Sequence, residues 1–542
     1  MSEDVKKSLF VQGSILAAAG IITKLIGFIY RIPMANVLGD QGNGIYSVAF
    51  GIYNIALTLS SYSLPQAVSK LVAEKSALHQ ERNKVRVFMM ALLFAIVAGL
   101  LAFSLLWFGA DGLEHLYHRH GLSRPLRILA PTTFIVALLG TFRGFFQGHR
   151  NMVPTAISQI VEQIINAIVS VVAAYSLTRL HAGTPEAPSY GAAGGTMGTL
   201  SGAAAALLFF IILTVIDWKK MNGGMVHDGH PDVSVLNIYR ALFLTVIPII
   251  LSQTIYQIGN TIDDLIFGNM MAAQGAPDAL VASMQGVFHT QYLQLVNLPV
   301  AIATSMAAST LPTIAAAMAS GERELALQRS GTVIKFNMSI AIPSAVGLAV
   351  LGKPIVTLLF PRLMEYRDLS AMLLLTGSSA VVFYALSTIT TSILQGSSHM
   401  SVPVVHSAIS LVIHIGLIYA LLRYTGLGIY AILIGNVTFP LLVCLLNLRS
   451  IEKLIGRSWD VKKTFLIPLL ISAVMGLAAW LVFRLCRFLP GHSMAVSLVI
   501  SLVAAVALYG ILLLRSGCFS REELLQFPMG GKLVRLARFK EQ

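Results

Sequence analysis

Two cations stand inside the first long apolar run of this chain, Leu9 to Met34: Lys24 and Arg31. They are seven residues apart, so a helix places them on one face. Gly20 and Gly27 share that face, and small residues let another helix or a ligand approach the backbone. Lys24 is fifteen residues past Leu9, roughly 22 Å along a helix, inside a hydrocarbon core about 30 Å thick. A cation at that depth costs from about 2.5 kcal/mol upward unless it faces water or a partner. The run therefore either snorkels a stray lysine or lines a polar cavity.

Other apolar runs carry polar faces. Gln253, Gln257, Asn260 and Asp264 follow one another at steps of four, three and four, with Asp263 adjacent. Gln159, Glu162, Gln163, Asn166 and Ser170 form a second face, and His406, Ser410 and His414 a third. Shorter groups are Tyr53 with Asn54, Gln291 with Gln294 and Asn297, and Tyr384 with Thr388, Thr391 and Gln395. Amides and hydroxyls in such positions either bond between packed helices, for about 0.6–2 kcal/mol, or bind a polar solute. Ionisable groups at depth, Lys24 and Glu162, point to a cavity or to each other. Arg31 and Asp264 lie nearer a membrane face, where snorkelling competes.

No enzyme constellation appears. There is no paired acidic motif, zinc-ligand spacing or nucleophile elbow, and Cys444, Cys486 and Cys518 fit no metal pattern. The glycine-rich stretch Gly191 to Gly202 follows no strand and ends in no phosphate-loop lysine, so it reads as a close helix contact. The chain is not expected to be an enzyme, to hydrolyse ATP, or to hold a metal or organic cofactor; a coupling cation is left open.

The elements that must position these residues are membrane spans. The 542 residues are 56% hydrophobic and 11% charged, with mean hydropathy +0.76. That excludes a soluble globular protein. Runs of spanning length fall near 9–34, 45–72, 87–109, 126–146, 153–177, 191–216, 241–268, 284–308, 332–351, 371–394, 402–422, 427–448, 464–483 and 493–514, about fourteen helices in an all-α polytopic fold. With the N-terminus inside, 26 of the 38 Lys and Arg lie in inside segments, 11 outside, and Lys24 within a span. The bias sets both termini in the cytoplasm and the protein in the plasma membrane as a multi-pass chain. The net charge of +14 is then topology and contact with an anionic leaflet, not a nucleic-acid surface.

Two motifs recur at matched separation. Leu64-Pro65-Gln66-Ala67 precedes Gln147-Gly148 and Val153-Pro154; Leu311-Pro312-Thr313-Ile314 precedes Gln395-Gly396 and Val402-Pro403. Pro65 to Gln147 is 82 residues and Pro312 to Gln395 is 83. The spacing predicts two six-helix lobes, 1–216 and 238–450, joined by a cytoplasmic linker at 217–237. Two extra spans occupy 451–515 and a basic cytoplasmic tail 516–542. Both halves begin on the same side, a parallel repeat of the kind found around the central cavity of alternating-access transporters. The linker's His227, Asp228, Gly229 and His230 read as flexible chain, and His115, His118 and His120 as a solvated outer loop.

The first spans resemble the multidrug/oligosaccharidyl-lipid/polysaccharide exporter superfamily, in the branch of stage V sporulation protein B-like transporters and lipid II flippases. The resemblance rests on Thr23-Lys24-Leu25-Ile26-Gly27-Phe28-Ile29-Tyr30-Arg31-Ile32-Pro33, Gly44-Ile45-Tyr46, Tyr62-Ser63-Leu64-Pro65-Gln66-Ala67 and Arg143-Gly144-Phe145-Phe146-Gln147-Gly148. It implies movement of an undecaprenyl-pyrophosphate-linked oligosaccharide or peptidoglycan precursor to the outer leaflet, for cell-wall, polysaccharide or spore-wall synthesis. In lipid II flippases a basic residue of the first helix helps hold the pyrophosphate, and Lys24 matches it. The cavity arginines of their second and eighth helices have no match in Leu57–Tyr62 or Tyr292–Asn297. A diphosphate sugar needs a cationic, amide-rich path through hydrocarbon. Lys24 and Arg31 would supply the cations, and Asn54, Gln163, Asn166, Gln253, Gln257 and Asn260 contacts to sugar hydroxyls. Glu162 and Asp264 would couple to a cation or lock the halves. Expected partners are the lipid-linked sugar, membrane lipids and the cell-wall synthesis machinery. The alternatives are a cation-coupled drug antiporter of the same superfamily, a membrane polymerase or ligase, for which the outer loops are short, and a non-transporting scaffold.

Overall fold

The computed structural model describes residues 3–149, 151–226, 230–457, 459–488 and 493–525. Side chains are described for these except 3–14, 17, 217–226, 248, 249, 251–258, 260, 308, 309, 312, 524 and 525. The chain packs as two compact units. In Met1–Gly286 the helices are α1 Glu3–Ser60, α2 Leu64–Ala77, α3 Glu81–Leu116, α4 Ser123–Gly148, α5 Val153–Leu180, α6 Ala187–Val226, α7 Val235–Ala273 and α8 Asp278–Gly286. The unit Val287–Gln542 opens with a π-helical stretch, Val287–Leu293. It continues as α9 Gln294–Ala319, α10 Arg323–Leu359, α11 Arg367–Gly377, α12 Ala380–Gly396, α13 Ser401–Tyr424 and α14 Ile429–Leu454. A second π stretch, Lys462–Leu466, then leads to α15 Ile467–Phe488, α16 Met494–Arg515 and α17 Arg521–Leu525.

Among the described residues, ten helices are long and apolar enough to cross a membrane, or eleven if α11 and α12 form one span bent by 48°. Ala18–Ala77 counts once there, yet its 60 residues are enough for two crossings. Each of the fourteen apolar runs falls in these elements, with α1 carrying the first and much of the second. The chain is a multi-pass all-α membrane protein.

α1 is broken at Gly39, whose φ of 71° and ψ of 172° leave the helix. A side chain is disfavoured in that conformation. Asn43 closes the break: its Nδ2 donates to Ala35 O at 2.9 Å and Gly39 O at 2.7 Å. Both legs enter one buried cluster, Tyr30, Met34 and Leu38 from the first with Ile45 and Tyr46 from the second. The second leg stops at Ser60. The run expected as one helix over 45–72 is thus interrupted by a turn before α2. Pro65 sits in the first turn of α2, where its missing N–H breaks no helical bond.

The repeated motifs share a packing role. Cβ atoms built on Gly144 and Gly148 of α4 would lie 2.8 Å from Pro65 O and 2.9 Å from Ser69 O of α2. One on Gly396 of α12 would lie 2.9 Å from Leu311 O of α9. In each unit a glycine lets the Gln-Gly end of one helix lie on the proline-bearing helix. The glycine-rich start of α6 does the same against α5: Cβ atoms on Gly194, Gly198 and Gly202 would stand 2.6 Å, 2.4 Å and 2.5 Å from backbone of Ala173, Asn166 and Glu162.

The packing boundary after α8 does not coincide with the repeat boundary expected at 217–237. The cause is a backbone crossing between α1 and α8. A Cβ on Gly44 would lie 1.9 Å from Ala282 O, and one on Gly286 would lie 2.0 Å from Asp40 O. The described end of the linker is clamped as well. Asn83 Nδ2 donates to Pro231 O at 3.1 Å, and Asp232 pairs with Arg82 at 3.2 Å and Arg86 at 2.6 Å. His227, Asp228 and Gly229 lie outside the described residues. In the second unit the two trailing spans, α15 and α16, share a buried cluster with α10 through Leu351, Met475, Leu498 and Tyr509. Of the tail, Ser516–Leu525 is described, and Lys335 holds it through Glu523 at 2.6 Å.

Candidate functional site

The first leg of α1 presents Lys24 and Arg31, both exposed. Neither has a carboxylate partner among the described residues; Arg31 lies beside the hydroxyls of Tyr30 and Tyr46. Between them, Gly27 brings α5 close: a Cβ there would lie 3.2 Å from Gln163 Nε2. One turn further along, Asn166 Nδ2 donates to Tyr30 Oη at 3.4 Å. Ser170 Oγ reaches Asn166 Oδ1 at 2.9 Å and Gly195 O at 2.7 Å. The cationic face of α1 and the amide face of α5 therefore adjoin. Asn166 is 8% exposed and its amide is engaged in packing, so it positions α5 against Tyr30. Gln163 is half-buried and stands on the cationic face.

Glu162, on the same face of α5, is not an isolated acid. Arg143 Nη2 of α4 donates to its Oε2 at 2.6 Å, and Arg143 Nε donates to Ser158 Oγ at 3.2 Å. Tyr53 on the second leg of α1 lies near this carboxylate. Sequence reading placed Arg143 among the topology-setting cations and missed it here. The signal was its position, five residues before the Gly148 end of an apolar span. Asn54, next to Tyr53, is half-buried, and no hydrogen bond of its side chain occurs among the described residues.

Asp264 is held elsewhere. It is 6% exposed, and Gln285 Nε2 donates to its Oδ1 at 3.1 Å. Gln285 Oε1 accepts from Arg119 Nη2 at 2.6 Å, and Arg119 Nη1 bonds the Asp278 carboxylate and Asp278 O. Arg119 is 1% exposed, so the loop expected to be solvated contains a buried cation. Burial draws its pKa below the usual arginine value, opposed by the charges of Asp278 and Asp264. This network joins the α3–α4 loop to α7 and α8, beside the Gly44–Gly286 crossing. The side chains of Gln253, Gln257 and Asn260 lie outside the described residues.

His406 and His414 of the second unit are packing groups. Asn447 Nδ2 donates to Thr390 and Thr391 Oγ1 at 3.2 Å and 3.1 Å, leaving its Oδ1 to accept from His406 Nδ1 at 2.8 Å. His414, 3% exposed, lies 3.0 Å from Gly435 O. Among the described residues no cluster of His, Cys, Asp and Glu is placed to hold a metal.

Residues 10–318 match the family model described as polysaccharide biosynthesis protein. The chain belongs to that family. Among curated proteins, this family member is 26% identical over 530 residues to stage V sporulation protein B of Bacillus subtilis (strain 168), covering 97% of this chain and 99% of the relative. It is also 26% identical over 523 residues to the lipid II flippase MurJ of the same strain, covering 92% and 93%. Solved structures agree on the fold. A lipid II flippase MurJ in an inward closed conformation superposes with a TM-score of 0.62 at 15% identity, covering 91% of this chain and 98% of that one. An inward-facing multidrug resistance MATE family transporter of the MOP superfamily gives 0.65 at 18%, covering 80% and 95%.

Proposed function

We propose that this protein is a transporter, not an enzyme, that flips a lipid-linked saccharide or peptidoglycan precursor bearing a diphosphate across the plasma membrane by alternating access. The observation that carries the reading is the face of α1 with Lys24 and Arg31, exposed cations without carboxylate partners among the described residues, against the amide face of α5. The relatives named as stage V sporulation protein B and lipid II flippase support the substrate class. A diphosphate would take Lys24 and Arg31 as counter-ions. Charge-assisted bonds to phosphate are about twice as strong as neutral ones. Gln163 and Asn54, with Gln253, Gln257 and Asn260 of α7, would meet sugar hydroxyls.

The Lys/Arg bias supports cytoplasmic termini. In that orientation Gly39, the Gly44–Gly286 crossing and the Arg119 network mark the outer end of the first unit. Substrate would enter from the cytoplasmic side, where cell-wall synthesis enzymes supply it.

The likeness to a MATE transporter favours a second reading, a cation-coupled drug antiporter. That reading asks for an uncompensated acid, whereas Glu162 is paired with Arg143 and Asp264 is bonded by Gln285 near Arg119. Complementation separates the two. The wild-type gene rescues a flippase-deficient strain, and Lys24→Ala abolishes rescue while inserting normally. Drug resistance without rescue would favour the antiporter.

A further inference from the structure

The Arg143–Glu162 pair has a geometry that the flippase reading leaves unused. Arg143 is 15% exposed and Glu162 27%. One Nη2 proton meets Glu162 and the Nε proton meets Ser158, while Nη1 makes no hydrogen bond among the described residues. A planar guanidinium with five donors is thus engaged along one edge only. The carboxylate on that edge is the shape and charge of two phosphate oxygens. The backbone beneath Glu162 is fixed, because Gly202 of α6 leaves room for nothing but itself against Glu162 O. The carboxylate can swing while its helix stays in place.

Depth gives the pair a place in a sequence of sites. Arg143 is five residues before the end of α4, and Glu162 nine residues into α5. Those offsets are roughly 8 and 14 Å from one membrane face. Gly27 of α1 meets Gln163, the neighbour of Glu162, so Lys24, one turn before Gly27, lies level with the pair, and Arg31, one turn after Gly27, lies beyond it. In the orientation argued above that face is cytoplasmic. Arg143 and Lys24 then stand at one level of the substrate's path with Arg31 beyond them, and among the described residues Arg143 is the one of the three with a resident carboxylate.

Resting on the flippase reading, we infer that Arg143 is the loading site for the substrate's diphosphate and that Glu162 is its exchangeable counter-ion. Before substrate arrives, Glu162 neutralises a cation that would otherwise stand bare at depth. The diphosphate displaces the carboxylate from Nη2 and takes Nη1 as well. As it moves on past Lys24 toward Arg31, Glu162 returns to Arg143, and the repulsion between two anions favours departure from the loading site.

The test is equilibrium binding of geranylgeranyl diphosphate to the full-length purified protein in nanodiscs, with geranylgeranyl monophosphate as comparison. The variants are Arg143→Gln, Glu162→Gln, the double variant and Lys24→Ala, each checked for its thermal unfolding midpoint. Glu162→Gln removes the competitor, so affinity rises several-fold; misfolding cannot produce a gain. Arg143→Gln weakens binding by at least about tenfold. The double variant, which leaves no orphaned charge, stays as weak as Arg143→Gln. The wild type binds the monophosphate several-fold more weakly than the diphosphate. Recovery of wild-type affinity in the double variant would make the pair purely structural and overturn the assignment. So would a loss of affinity in Glu162→Gln, or equal binding of the monophosphate. If the wild type binds no polyprenyl diphosphate, the flippase reading itself fails. If Lys24→Ala weakens binding and the Arg143 variants do not, only the loading site fails.

Discussion

Lys24 and Arg119 are opposite kinds of cation. Lys24 is exposed on an apolar helix and has no ion-pair partner among the described residues, so Lys24→Ala should change stability by no more than about 0.5 kcal/mol. Arg119 is buried against Asp278, Gln285 and, through Gln285, Asp264. Arg119→Ala strands the partly buried Asp278 carboxylate and removes the support of Gln285 and Asp264, and should cost about 3–5 kcal/mol. A drop of several degrees in thermal midpoint in detergent, for this variant and not for Lys24→Ala, checks both. The difference between them was only half legible in the sequence. Lys24 stood out because a lysine inside an apolar run is rare whatever surrounds it. Arg119 and Arg143 looked like ordinary loop and topology charges, since their partners lie 159 residues away in one case and 19 in the other. Tertiary contact decided their roles, and a single sequence does not display it.

Helices in this protein meet through glycine, and that determines which contacts can form. The Gly44–Ala282 and Gly286–Asp40 approaches bring backbone onto backbone at the break in α1. Gly286→Ala should prevent that seating. Ala282 is fully buried in the crossing, so a cysteine placed there reacts slowly with a maleimide. The reaction should quicken at least about tenfold when Gly286→Ala is added, and an unchanged rate would mean the crossing does not depend on Gly286. The motifs Pro65 with Gly148 and Pro312 with Gly396 were readable because each is short and has a local packing role. Interruptions within spans were less readable. The Ser61–Ser63 turn, the π-helical Val287–Leu293 and the 48° bend between α11 and α12 all fall on short polar stretches inside runs that are apolar on average. Hydropathy registers the run and not the break. The repeat also did not predict that α7 and α8 pack with the first six spans, because the tight crossing that joins them to α1 lies between distant glycines.

The whole chain is a multi-pass membrane protein of the polysaccharide biosynthesis family with a transporter fold. The proposed topology, drawn from its charge asymmetry, sets both termini in the cytoplasm. Tags at the N- and C-termini should be protected from protease in intact spheroplasts and cleaved after permeabilisation; cleavage of either in intact spheroplasts would reverse the topology and the sidedness of the loading site. The central claim is that cations on α1 carry a diphosphate across. The direct measurement is translocation of a fluorescent, diphosphate-linked polyprenyl saccharide in proteoliposomes, read by quenching of the outer leaflet. The account predicts transport by the wild type and, for Lys24→Ala, a rate indistinguishable from empty liposomes with unaltered incorporation. Transport by Lys24→Ala at the wild-type rate would contradict it.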